Sequence, residues 1–371
     1  MKIRPFRVSR RMMGVAVLAF AASLLLFPCA GHVSSAAVND SATTQAANQV
    51  QSSAPVANGP VDEDQASARV ARLSDVEGTV QIFRGDQVEF AKAIVNMPIP
   101  QGSRIETGAD GRAEIEFEDG SIARLTPSSS LGIETLGSAA NGNPDTALKQ
   151  RSGLVYYELR NDGKALYTVL LDQGTVHPKV DSTFRVDLTP APAALAVIDG
   201  DVQVRGDSND SQVEAHQGQM IQFHPSATAQ YIVLDGIIPN GFDGWNDQRD
   251  EEAAKQAANQ TSARTQQGNS MDRGIAYGWS DLDTYGGWYP LPGYGMVWQP
   301  YGVGAGFDPY GFGSWADIGG FGVSWISGYP WGWLPFHCGG WSYINTFGWG
   351  WLPGGCGFGG GIGYGYGFGF G

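Results

Sequence analysis

Cysteine and basic side chains are scarce in this chain. Of its three cysteines, Cys29 lies within the first thirty residues, and Cys338 and Cys356 stand alone near the other end. No Cys-x-x-Cys pair exists, so the usual ligand pattern of a structural zinc site is missing. Lys and Arg number 23 against 37 Asp and Glu, and five of the bases (Lys2, Arg4, Arg7, Arg10, Arg11) precede the first apolar run. The rest of the chain sets 18 bases against 37 acids. That balance excludes nucleic-acid binding by counterion release and disfavours anionic lipid surfaces. Catalytic signatures are absent too: there is no Gly-x-Ser-x-Gly, no phosphate-binding loop and no dinucleotide fingerprint. His177, His216 and His224 are scattered, with no acid at a telling spacing. The residues point to a non-enzymatic protein that needs no cofactor and no metal.

The first 37 residues read as an export signal. The basic stretch MKIRPFRVSRR precedes the apolar run Met13–Phe27, and Ser35-Ala36-Ala37 offers a cleavage point. Fifteen apolar residues are few for a membrane span, so cleavage is expected over a retained anchor. Ser9-Arg10-Arg11 is a faint twin-arginine pattern, and Phe27-Pro28 before Cys29 fits a lipoprotein signal poorly. The mature chain is expected in the periplasm or at the cell surface. Residues 38–68 are rich in Ala, Ser and Gln with almost no large apolar side chains, the composition of a disordered linker.

Long helical periodicity is lacking from residue 69 to 239. In its place are short alternating runs broken by Gly and Asp. In RAEIEFEDGSIARL, Ala113, Ile115 and Phe117 point one way and Glu114, Glu116 and Glu118 the other, a half-buried strand with a wet acidic face. Asp119-Gly120 is expected to close a two-residue hairpin. The same device recurs at Asp199-Gly200, and Arg84-Gly85-Asp86 is a third turn. Further strands are expected at Leu154–Leu159, Tyr167–Leu171, Thr183–Leu188 and Gln219–Phe223. The fold class is all-β. Stacked, solenoid-like hairpins and a sandwich both remain open. Residues 240–276, polar and charged, read as a connector that forms a solvated, spacing helix.

From residue 277 onward Lys and Arg vanish, while 10 of the 11 Trp, 10 of the 14 Tyr and 30 of the 53 Gly gather. Spacing organises this second module, residues 277–354. Trp288 and Trp298, Trp315 and Trp325, and Trp341 and Trp351 are each ten apart. Six residues after the first Trp of each pair stands an aromatic (Tyr294, Phe321, Phe347), and then a glycine (Gly295, Gly322, Gly348). The period is 26 to 27 residues, the mark of a repeat. A hairpin per repeat places each Trp opposite its partner, and three hairpins in series are expected to build a sheet of six or more strands. The pentapeptide WGWLP at 331–335 and 349–353 is then expected as two strands flanking the one that starts near Cys338. Residues 355–371 form a Gly/aromatic tail, either a last strand or an association-prone extension.

Several stretches of the first module carry a resemblance. EGTVQI (77–82), GSRIETGADGRAEIEFEDGSIARLTPSSSLGI (102–133), STFRVDL (182–188), AVIDGDVQVRG (196–206) and VEAHQGQMIQF (213–223) resemble, in order, the periplasmic FecR domain. Ser182 departs from the glycine usual there. WNDQRD (245–250), DLDTYGGWYPLPGYGMVWQPY (281–301) and WGWLPFHCGGW with GWGWLPG (331–354) are similar to an uncharacterised Trp/Tyr/Gly-rich domain that follows FecR-like domains in envelope proteins. The resemblance implies a ligand- or partner-binding fold outside the cytoplasm. FecR signalling to a sigma factor needs a cytoplasmic helical domain, and eleven residues before Met12 are not expected to supply one.

Three chemistries compete at Cys338 and Cys356: a disulfide, favoured by export, two free thiols, or metal binding with His337. For a disulfide, Trp341 opposite Trp351 would place Cys338 opposite residue 354, and a bend at Gly354-Gly355 would have to bring Cys356 back. The six paired Trp are expected to fill the module's own core. Tyr289, Tyr301 and Tyr343, off the pair positions, are the candidates for stacking on a ligand. The partner is expected to be an envelope protein, with the chain acting as an interaction scaffold, or a neutral glycan. Self-association through the second module stays open.

Overall fold

The computed structural model describes residues 69–161, 163–206, 212–223, 231–259, 278–304, 306–319 and 322–356. The stretches expected as export segment and linker, His224, the connector after 259 and the tail beyond Cys356 lie outside the described residues.

Alternating apolar positions build the first module. Its strands in chain order are β1 (Ala71–Glu77), β2 (Val80–Arg84), β3 (Gln87–Phe90), β4 (Pro98–Ile99), β5 (Ser103–Thr107), β6 (Arg112–Glu116), β7 (Ile122–Leu125), β8 (Ser130–Ser138) and β9 (Pro144–Ser152). They continue as β10 (Leu154–Leu159), β11 (Leu166–Leu171), β12 (Gly174–Pro178), β13 (Ser182–Asp187), β14 (Ala194–Asp199), β15 (Asp201–Arg205), β16 (Gln212–His216), β17 (Gln219–Phe223) and β18 (Tyr231–Asp235). Two nine-stranded sheets result, one ordered β18-β17-β14-β13-β10-β7-β6-β1-β4 and the other β16-β15-β12-β11-β9-β8-β5-β2-β3. The chain changes sheet after every one or two strands. Hairpins are thus laid down alternately on two layers, which unites the stacked-hairpin and sandwich readings. β9 and β11 pair in parallel, because the strand between them, β10, belongs to the other sheet.

One core lies between the layers. Leu73, Ile115, Leu125, Val155, Tyr157, Phe184 and Val197 enter it from the first sheet, and Ile82, Ile105, Leu131, Leu148, Val169, Val176 and Val204 from the second. Burial of each such side chain stabilises by roughly 1.5–3 kcal/mol. The turns differ in part from expectation. Gly85-Asp86 closes a two-residue hairpin between Arg84 and its partner Gln87. At Asp119-Gly120 the loop is one residue longer: Phe117 N–H donates to Ser121 O, and Gly120 takes φ of 84°. Asp199-Gly200 closes no hairpin, since β14 and β15 belong to different sheets. Gly200 there serves as a corner (φ 77°), and a Cβ would fall 2.4 Å from Asp181 O.

The connector begins as α1 (Asp243–Asn259), and this helix is not a solvated spacer. It lies on the outer face of the first sheet, where Asn246 is buried and bonded to Arg124. A second short helix, α2 (Trp279–Tyr285), follows.

The second module holds β19 (Gly286–Leu291), β20 (Gly295–Pro300), a 3-10 turn at Pro309–Gly311, β21 (Gly313–Ile318), β22 (Gly322–Ser327), α3 (Trp333–His337), β23 (Cys338–Ile344) and β24 (Gly348–Cys356). Each of the three hairpins is present, with Trp288 opposite Trp298, Trp315 opposite Trp325 and Trp341 opposite Trp351. They do not join into one sheet of six. The first and third combine as β19-β20-β24-β23, where Trp298 also pairs with Trp351, while β21-β22 stands apart. The reason lies in the middle hairpin's contacts. Trp325 packs on Tyr310 and on Phe336 of α3, and the hairpin is tied to the first module through Gly319 N–H to Glu89 and through Asn96, which donates to Ser327 O and Tyr329 O. The first WGWLP copy is not a strand either. Trp331 and Gly332 form a turn, and Pro335 sits in the first turn of α3, where a missing N–H costs nothing.

Candidate functional site

Strand alternation puts a second row of side chains on the outer face of the first sheet: Arg72, Glu114, Glu116, Arg124, Tyr156, Glu158 and Arg185. The expected wet acidic face is corrected here. Glu114 is buried, because α1 and α2 cover this row. Arg124 donates through Nε to Glu114 and through Nη1 to Glu158, Asp250 and Asn246. Arg249 of α1 reaches Glu114 from the other side at 2.9 Å. Arg72 bonds Glu116 and, at 2.7 Å, Asp281 of α2. Tyr156 O–H donates to Asp243.

These contacts set the titration of the row. Burial pushes Glu114 up, but Arg124 and Arg249 outweigh it and hold the carboxyl at about 2. Burial, with a hydrogen bond that protonated Glu158 donates to Asp250, pushes Glu158 up to about 7 against the pull of Arg124. Burial likewise raises Asp75 and Glu116. A cluster of this kind, into which α1 and α2 both bond, fastens the connector to the sheet. It offers no open place for a substrate.

In the second module the paired Trp divide. Trp298 and Trp351 are fully buried, Trp325 nearly so, and Trp288 and Trp341 half-buried against them. Gly286 makes room: a Cβ would lie 2.3 Å from the Trp298 ring. Trp315 departs from the expected core role, being 61 % exposed. Its edge rests on Trp325 at 5.5 Å, while its outer face meets solvent. Exposed Tyr310 packs on the same Trp325, and Val323 is exposed as well. Register places Trp315 and Asp317 of β21 on the same face as Val323 and Trp325 of β22. Among the described residues no third strand pairs with this hairpin, so both outer edges keep open backbone groups. Sequence spacing alone did not mark Trp315 as different from the other five Trp, because its exposure follows from how the middle hairpin docks.

The three candidate tyrosines do not converge. Tyr301, 63 % exposed, lies in the turn after β20. Tyr289, on β19, packs edge-on against Phe347. Tyr343 lines a cleft of about 310 Å³ with Gln299, Val303, Phe307, Thr346, Phe347 and Trp349. Trp349 stands opposite Tyr343 in the ladder, the rings 5.6 Å apart and nearly perpendicular. Both extend the face that carries Trp341 and Trp351, past its buried part to the hairpin tip.

Cys338 and Cys356 face each other across β23 and β24 and are joined in a disulfide. The two extra residues fall on β24, where Pro353, Gly354 and Gly355 stand against Gly339 (φ 62°) alone, so the chain gives way at Gly354-Gly355 as expected and brings Cys356 back opposite Cys338. His337 does not join them. Its Nδ1 lies 2.7 Å from Trp333 O and its Nε2 3.1 Å from Ser324 Oγ, and burial pushes the imidazole down to about 4. Among the described residues no group of His, Cys, Asp and Glu has the arrangement of a metal site, and no helix is long and apolar enough to cross a membrane.

Comparison with known proteins follows the division into modules. Residues 103–220 match the family model of the FecR protein, and residues 279–363 match a family of unknown function, DUF6600. No curated protein matches the chain. Two crystal structures of a candidate anti-sigma factor from Parabacteroides distasonis are similar at 14 % identity and a TM-score of 0.31, covering 36 % of this chain and 59 % of that protein. The chain thus spans about three fifths of the length of those structures.

Proposed function

We propose that the protein is exported to the cell envelope and acts there as a non-enzymatic interaction scaffold, with the β21–β22 hairpin as its docking surface. The observation that carries this reading is the exposure of Trp315 and Val323 on one face of a hairpin with which no third strand pairs among the described residues, with exposed Tyr310 packed on the neighbouring Trp325. Clustered large apolar groups at a surface are the usual footprint of a partner, and buried aromatics supply most of the energy in such contacts. Open backbone edges suit an extended segment that adds a strand. Charge narrows the partner further. The module has no Lys or Arg, and Asp317 is exposed on the Trp315 face. The partner is therefore an extended segment of another envelope protein, apolar with a basic residue.

A photo-crosslinking amino acid in place of Val323, in the full chain in the producing cell, tests this. One discrete heterologous adduct that disappears on Trp315→Ser is expected. Adducts only with further copies of the chain, or an adduct untouched by Trp315→Ser, would overturn the reading.

A further inference from the structure

The cleft at the β23–β24 tip is separate from the docking hairpin and differs in chemistry. Four aromatic rings line it (Phe307, Tyr343, Phe347 and Trp349), and none of its residues is a carboxylate or a cation. Its volume of about 310 Å³ lies at the lower end of the range for small-ligand sites. Tyr343 and Trp349 stand at 77° to each other, one wall and one floor of ring surface. Tyr343 is 57 % exposed despite this pairing, so its face is free to take a ligand.

Beside the hydroxyls of Tyr343 and Thr346, the cleft holds one polar side chain that is fixed in place. Gln299 donates its amide N–H groups to Phe347 O at 3.2 Å and Trp349 O at 2.9 Å. This locks the amide orientation across β20 and β24 and leaves Oε1 as an acceptor. An acceptor held in this way calls for a ligand that donates. The absence of cations disfavours anionic ligands, and the absence of carboxylates removes the usual anchor for cationic ones. A proline-rich peptide also stacks on aromatic rings, but proline lacks the N–H that Oε1 would accept. A neutral sugar meets each requirement: apolar C–H faces for the rings, hydroxyl donors for Gln299 Oε1, and no net charge.

We propose that this cleft binds an uncharged glycan segment, with one pyranose ring stacked on Tyr343 and an adjacent hydroxyl donating to Gln299 Oε1. The inference does not depend on the protein-docking role of the β21–β22 hairpin. The test uses the full mature chain titrated with cellohexaose, maltohexaose and chitohexaose, followed by calorimetry and Trp fluorescence, with a proline-rich decapeptide in parallel. At least one hexasaccharide should bind with a dissociation constant below a few millimolar. Tyr343→Ala should weaken it at least tenfold, Tyr343→Phe should retain it, and Trp315→Ser should leave it unchanged. Near-UV circular dichroism of each variant checks that the aromatic module is intact; if Tyr343→Ala disturbs it, Tyr343→Leu takes its place with the same expected loss. Absence of binding to all three sugars, binding insensitive to both Tyr343 variants, or binding of the decapeptide alone would overturn the proposal.

Discussion

Glu158 of β10 and Asp250 of α1 direct their carboxylates at one and the same guanidinium nitrogen of Arg124, at 2.6 and 2.5 Å. Two half-buried acids from different elements therefore share one cation, which is itself almost wholly buried.

That sharing makes stability depend on pH in a defined window. Glu158 keeps its proton up to about 7 in the folded chain, whereas an unperturbed glutamate releases it near 4.5. Its contribution favours folding fully below that lower value and is lost as pH rises through 7. Asp75 and Glu116, raised by burial, act in the same direction. Glu114, held at about 2, acts in the opposite sense, its contribution present above 4.5 and lost as pH falls toward 2. The melting temperature is expected to fall between pH 5 and 7.5, and Glu158→Gln to flatten that slope. One proton accounts for at most about 1.4 kcal/mol per pH unit. Calorimetry across this range checks it, and an unchanged slope in the variant would show that the window belongs to other groups.

Arg124 is the hub of the cluster, so its removal costs more than any one of its bonds. Arg124→Met leaves buried Glu114, and the half-buried Glu158 and Asp250, without their shared cation, and is expected to destabilise by about 3–5 kcal/mol. Arg124→Lys should recover only part of this, because a single ammonium lacks the fork that reaches all three acids and Asn246. Urea unfolding measures the loss, and limited proteolysis should show α1 cut before the strands.

Burial separates two tryptophans that occupy equivalent repeat positions. Trp351→Ala empties a site enclosed by Trp279, Trp288 and Trp298 and should cost about 3–5 kcal/mol. Trp315→Ala, at the exposed position, should stay within about 1 kcal/mol. Equal losses in denaturant titrations would contradict the division of the Trp pairs into core and surface.

The disulfide closes a segment of sequence separation 18. Cys356→Ser is expected to destabilise the module by about 3 kcal/mol on the chain-entropy model. Free-thiol labelling of the unreduced protein should mark neither Cys338 nor Cys356.

Much of the local structure was legible in the sequence because it depends on near neighbours. The alternation of Ala113, Ile115 and Phe117 gave a strand, and the ten-residue Trp spacing gave hairpins with Trp facing Trp. What remained hidden depends on distant partners. The row Glu114, Glu116 and Glu118 looks solvated in isolation. Only Arg124, ten residues from Glu114, and Arg249, 135 residues away, turn Glu114 into a buried ion pair. Asp199-Gly200 has the letters of a hairpin turn, and nothing nearby tells that the next strand joins the other sheet. The cleft likewise combines Gln299 and Phe307 with residues some forty positions later, and of its lining only Tyr343 was marked as a ligand contact in advance.

The position of α1 bears on any outside protein that approaches the Arg124 face. That face already has an occupant tethered by the same chain, and a tethered segment competes at an effective concentration on the order of millimolar or above. A rival would need to bind the bare face far more tightly than its own cellular concentration suggests, or first pull α1 away. The surface is therefore closed by default, whereas Trp315, Tyr301 and Tyr343 of the aromatic module have no such tethered cover and stay exposed.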